Sequence, residues 1–174
     1  MHHRNSERGF SLVETLIAMA ILGTVLISIL TLFVLGRKNV YSGKQMSQAV
    51  AVGTRVLEDL SPMTIQSVMT NFGFTDATAL TTNGVGGVSY PNSAVVTTVG
   101  ATTGYLGRWA QLVPTSVMTN GKVSLVAIPT DPTNAGAKWS TAQYMQIIVV
   151  VEWFETGRDR TAVFRTAKVQ RGLE

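Results

Sequence analysis

The sequence predicts an α+β protein in which a long N-terminal α-helix, membrane-spanning in its first half, packs on a C-terminal antiparallel β-sheet head. Three observations predict it. A charge-free apolar run near the N-terminus is long enough to cross a bilayer, a helical pattern of apolar residues continues beyond it, and β-branched segments bounded by turn residues fill the C-terminal part of the chain.

From Phe10 to Leu35 the only ionisable side chain is Glu14, and Thr15 through Leu35 are 21 uncharged residues in succession. As a helix that run is about 31 Å long, against a hydrocarbon core of about 30 Å. Arg4 and Arg8 precede it and Arg37 and Lys38 follow, so the flanking charges bias its orientation only weakly. A secretory signal peptide would explain the basic start and the small residues of Ala18-Met19-Ala20. Its apolar region would be about 7–15 residues, however, and here the run continues for 15 residues past Ala20. A plain membrane anchor explains the length but not Glu14, since a carboxylate near a bilayer centre costs about 2.5–3.5 kcal/mol. Scission between Gly9 and Phe10 would supply a partner. The new α-amino group at Phe10, with an ordinary pKa of about 7.7–8.0, is largely cationic near neutrality, and it lies one helical turn before Glu14. The helix dipole also favours a carboxylate in the first turn.

Beyond Gly36 the helical period persists. Met46, Val50, Gly53, Leu57 and Leu60 fall on one stripe, predicting the packed face, with Arg37, Lys38, Lys44, Gln48, Arg55 and Glu58 off it. The helix should end before Pro62, because the residue preceding proline disfavours α geometry. Phe10 to Leu60 is then about 51 residues, about 76 Å if unbroken. Ser61-Pro62 has the chemistry to start a second helix, with Ile65, Val68, Met69 and Phe72 along one side and Gly73 as its stop. Phe74 to Gly104, rich in Thr, Gly, Val and Ala, reads as loops and short strands forming a surface excursion. Within it, Gly84-Val85-Gly86-Gly87 lacks the strand, helix and lysine context of a phosphate-binding loop and reads as a turn. Strands are predicted at Arg108–Val113, Lys122–Ile128, Tyr144–Glu155 and Thr161–Val169. The last two form a hairpin around the polar turn Thr156 to Arg160, and Ile147 to Val151 marks the most buried strand.

Composition narrows the function. A chain of 174 residues suits one folded domain with an appended segment. There is no cysteine, and histidine occurs only at His2 and His3. Disulfides, zinc-thiolate sites, thiol nucleophiles, Ser-His-Asp triads and histidine-ligated metals are therefore excluded from the remainder of the chain. The net charge of +4 is dispersed and does not by itself indicate nucleic acid.

The stretch Arg8-Gly9-Phe10-Ser11-Leu12-Val13-Glu14-Thr15-Leu16-Ile17-Ala18 resembles the class III signal and mature N-terminus of type IV pilins and type II secretion pseudopilins. The resemblance implies that Gly9 precedes the bond cut by the prepilin peptidase, and that Phe10 becomes the N-methylated first residue. It assigns to Glu14 the glutamate that assists docking into a filament. The implied organisation is a cleaved leader at residues 1–9, a transmembrane and filament-core helix at 10–36, an amphipathic second half at 37–61 and a β-rich head at 62–174. Ala18, Ala20, Gly23 and Ser28 would then permit close helix approach, although ordinary membrane-helix composition explains them equally. The last strand pair is similar to the C-terminal sheet of V-type pilus-modification minor pilins and I-type pseudopilins. Major pilins commonly carry a helix-breaking proline where this chain has Thr31, and many carry a C-terminal disulfide. A low-copy minor pilin or a pseudopilin is therefore a closer resemblance than a shaft subunit, most like a V-type minor pilin.

The expected function is thus structural and not enzymatic: assembly into a type IV pilus with a priming or adhesion role, with a secretion pseudopilin or a permanently anchored binding module as alternatives. The implied partners are other pilins, the prepilin peptidase and methyltransferase, the inner membrane and its assembly platform, with a cell-surface or periplasmic filament as the destination. No cofactor is implied and no metal site is expected. Glu155 with Asp159, or Asp131 with Asn134, could meet calcium, but turn chemistry explains both pairs. Arg158, Arg160, Arg165, Lys168 and Arg171 could touch DNA phosphates if the filament takes up DNA, while a solvated basic edge strand explains them without a ligand.

Overall fold

A computed structural model describes residues 11–130 and 138–170. Helix α1 runs Leu12–Leu60, α2 Ile65–Phe72 and α3 Gly104–Leu112; strands β1 to β5 run Thr81–Val85, Val88–Thr97, Thr119–Thr130, Tyr144–Glu155 and Arg158–Val169. A single 3-10 turn, Trp139–Thr141, precedes β4. The chain divides into two compact units, Met1–Gly43 and Lys44–Glu174. The first unit contains the apolar part of α1, from Leu12 onward, and this helix is long and apolar enough to cross a membrane.

The second unit is an α+β head. Its strands form a five-stranded antiparallel sheet in sequence order. The predicted stripe on the second half of α1 is rotated by about one residue. The buried positions are Gln45, Ala49, Val52, Gly53, Val56 and Leu60, whereas Met46 and Val50 are exposed and Leu57 is half-buried. Size decides between two nearly equivalent apolar stripes. The helix approaches the sheet through its smallest residues, and at Gly53 the Phe164 ring takes the space that a Cβ would fill. Gln45 is drawn into the buried face because its Nε2 donates to the Val117 carbonyl at 2.6 Å.

Helix α2 buries Ile65, Val68, Met69 and Phe72, as its spacing predicts. Its cap is Thr64 and not Ser61: the Thr64 hydroxyl accepts from the Ser67 N–H at 3.1 Å. Gly73 ends the helix and donates its N–H to the Met69 carbonyl.

The strand expected at Arg108–Val113 is instead part of α3. Aromatic and β-branched residues suggested a strand, but tertiary packing outweighs that preference. Tyr105 and Trp109, four residues apart, share a helical face, and their rings lie 6.0 and 5.3 Å from that of Phe72. Trp109 is fully buried, and its indole N–H donates to Asp59 Oδ2 at 3.0 Å, tying α3 to α1.

The excursion between Phe74 and Gly104 is a structural layer, contrary to its reading as surface decoration. β2 pairs with β1 through Val88–Ser93, then with β3 through Ala94–Thr97. The change of partner follows Pro91, which cannot donate to a ladder, and Asn92, which has φ +49°. The β1–β2 hairpin thereby places Val85 and Tyr90 against Val126, Ile148 and Val150, the sheet residues that face away from α1. Its turn is Gly86-Gly87, both at positive φ, while Gly84 and Val85 belong to β1. β4 is consequently covered on both faces, which explains the continuous apolar run Ile147 to Val151.

β4 has the predicted bounds. β3 and β5 begin earlier than expected, and the last hairpin closes on the two-residue turn Thr156-Gly157. Arg158 to Arg160 are therefore strand residues.

Candidate processing and assembly segment

Glu14 lies in the first turn of α1 and is exposed. The start of that helix is held by the Thr15 N–H, which donates to the Ser11 carbonyl at 3.2 Å. Gly9 and Phe10 lie outside the described residues. Within this unit every apolar side chain from Leu12 to Leu35 is exposed, Phe33 at 76%. Of the small residues, Ala18, Ala20 and Ser28 are exposed and Gly23 is half-buried.

One feature of the segment is not evident from hydropathy. Four hydroxyls are satisfied by the helix that carries them. Thr15 donates to the Ser11 carbonyl at 3.0 Å and Thr24 to Ile21 at 2.8 Å, while Ser28 donates to Thr24 at 2.9 Å and Thr31 to Ile27 at 2.9 Å. Each removes a hydroxyl donor that hydrocarbon would leave unpaired, a cost of roughly 2–7 kcal/mol for a bare polar group. Ser and Thr inside a helix commonly bond back to the preceding turn, so their positions carried the signal. At Thr31 the helix is unbroken.

Several of the head's charged groups are engaged in structural contacts. Glu155, buried, pairs with Arg160 through Nε–Oε2 at 2.9 Å, so its carboxylate faces a cation and not Asp159. Asp131, Asn134 and Arg171 lie outside the described residues. Among the described residues no three His, Asp or Glu side chains converge as a metal site would require. Lys122 pairs with Glu152 at 3.3 Å, and Glu152 also accepts the Gly86 N–H at 3.3 Å, fixing the back-face hairpin to β4. Lys168 Nζ donates to the Ser61 carbonyl. The Asp76 carboxylate accepts from both the N–H and the hydroxyl of Ser140, and these bonds hold it below the ordinary carboxylate range. The five basic residues named for DNA are thus not one free array: Arg160 and Lys168 are occupied within the head, and Arg158 and Arg165 are exposed.

Neither the curated proteins nor the solved structures compared with the chain gave a match. The family comparison did: residues 4–35 match the prokaryotic N-terminal methylation motif. That span holds the glycine–phenylalanine junction, Glu14 and the whole apolar run. The chain thus carries a prokaryotic N-terminal methylation motif, a class III prepilin signal consistent with type IV pilins and pseudopilins, followed by an α+β head.

Proposed function

We propose that the chain is a minor pilin-like subunit, cut between Gly9 and Phe10 by a prepilin peptidase, N-methylated at Phe10 and assembled into a type IV pilus. Before assembly the apolar half of α1 anchors it in the inner membrane; afterwards the same residues pack among other subunits. The observation that carries this reading is the methylation motif at residues 4–35, with Glu14 in the first turn of an otherwise uncharged helix. In hydrocarbon that carboxylate needs a cation, and the amine freed at Phe10 is one turn away. A role at low copy number, in priming or adhesion, is supported by the unbroken helix at Thr31 and the lack of cysteine. The assembly platform and neighbouring pilins are its partners, and no catalytic role is assigned.

Mass spectrometry of sheared filaments tests the proposal. The expected N-terminal peptide begins at methylated Phe10. Incorporation of a chain that retains Met1 would overturn it.

A further inference from the structure

β5 is the last strand of the sheet, and among the described residues none pairs with its outer edge. Its register shows which backbone groups that edge offers. The two-residue turn Thr156-Gly157 makes Glu155 and Arg158 a hydrogen-bonded pair, so the even-numbered residues of β5 bond to β4; Gln170 N–H donating to the Gln143 carbonyl at 2.8 Å continues that alternation. The odd-numbered residues, Val163, Arg165, Ala167 and Val169 among them, therefore direct N–H and C=O outward.

Beside this edge lie two clefts that share Ser61 and Lys168. One, of about 330 Å³, runs between α1 and β5 past Leu57, Glu58 and Arg165. The other, of about 560 Å³, opens at the α1–α2 junction past Met63 and Trp139. A free strand edge flanked by a helix, with a trough between them, is the geometry by which sheets take up an extended peptide: the backbone extends the ladder and alternate side chains enter the trough.

We propose that the β5 edge and its flanking trough form a docking site for an extended acidic segment of another protein, which adds to the head as a sixth strand. Charge selects the occupant. β5 presents exposed Arg158 and Arg165, with Lys168 at the trough, against a single Asp159, while Arg160 is paired with Glu155 and Glu58 on the helix side of the trough is paired with Arg55. A second copy paired edge to edge would set these cations against one another. The opposite edge of the sheet, β1, has five residues and no charge, so it offers a copy's β5 no carboxylate. The inference concerns the head alone and stands apart from the processing of the N-terminus.

The test uses the full chain in detergent micelles and labelled peptides of about ten residues, read by fluorescence anisotropy. One peptide alternates valine with glutamate, a second alternates valine with lysine, and a third is the acidic peptide N-methylated at alternate amides. The acidic peptide is expected to bind, with affinity at least about tenfold above the other two. Ala167→Pro removes an outward N–H that makes no bond within the sheet, and should abolish binding without altering circular dichroism or thermal unfolding. Arg165→Glu, at an exposed side chain, should weaken binding about tenfold. The proposal is overturned if the acidic peptide fails to bind, if the lysine or N-methylated peptide binds equally, or if folded Ala167→Pro retains affinity. A wild-type dimer that Ala167→Pro makes monomeric would assign the edge to a second copy, and would overturn it too.

Discussion

Gly53 of α1 lies against the Phe164 ring of β5 so closely that a methyl group at Gly53 would occupy the ring edge. The contact sets how closely α1 approaches the sheet. Gly53→Ala should gain up to about 1 kcal/mol in helix propensity and lose about 1–3 kcal/mol through overpacking. With the added Cβ 2.1 Å from a ring carbon the loss falls at the upper end of that range, and net destabilisation of about 2 kcal/mol is expected. Urea unfolding of the single variant, and of Gly53→Ala with Phe164→Leu, checks it; the second change should restore most of the loss.

Trp109→Phe keeps the ring packing against Phe72 but deletes the donor to Asp59. The expected loss is about 1–2 kcal/mol, the range for a hydrogen bond to a charged group. Asp59→Leu should cost a similar amount, and the double variant less than the sum of the two. A double-mutant cycle in denaturant measures the coupling.

At Gly86 the backbone has φ +61°, and an added Cβ would lie 2.8 Å from Val150 Cγ1. Gly86→Val should lift the back-face hairpin, at a cost of about 1–3 kcal/mol. Hydrogen exchange should then rise at Ile148 and Val150, while the helix-facing residues stay protected.

The Asp76 carboxyl is held below its ordinary value chiefly by the Ser140 hydroxyl, then by the Ser140 N–H. Its contribution to stability is therefore fully present above the unfolded value of about 3.9 and is lost as pH falls through the lower folded value. Asp76→Asn should narrow the difference in melting temperature between neutral and acidic solution. An unchanged difference would remove Asp76 from the acid response.

Glu14→Ala should leave the chain in the membrane fraction and remove it from sheared filaments. Glu14→Gln, which keeps the shape but not the charge, should do nearly the same if pairing with the Phe10 amine drives docking. Immunoblots of both fractions distinguish charge from shape.

Much of this molecule was legible without coordinates because the deciding signals are local. An uncharged run of membrane length, a glycine–phenylalanine pair with a glutamate one turn on, the buried side of α2 and the bounds of β4 depend on residue type and spacing over short distances. The back-bonding hydroxyls at Thr15, Thr24, Ser28 and Thr31, although bonds within a single turn, were not read from the sequence.

What only the tertiary structure decided were choices between alternatives of nearly equal local energy. Two apolar stripes on α1, both containing Gly53, were available, and packing on the sheet selected the one with Ala49, Val52 and Val56. The segment around Trp109 fitted strand or helix until the Phe72 and Asp59 contacts fixed helix. Pro91 and Asn92 marked an irregularity, but only the apolar back face of β3 and β4 explained why the hairpin folds over it. Local sequence sets which conformations are cheap, whereas burial of surfaces far apart in the chain chooses among them, because each choice is worth only a few kcal/mol until the partner surface is in place.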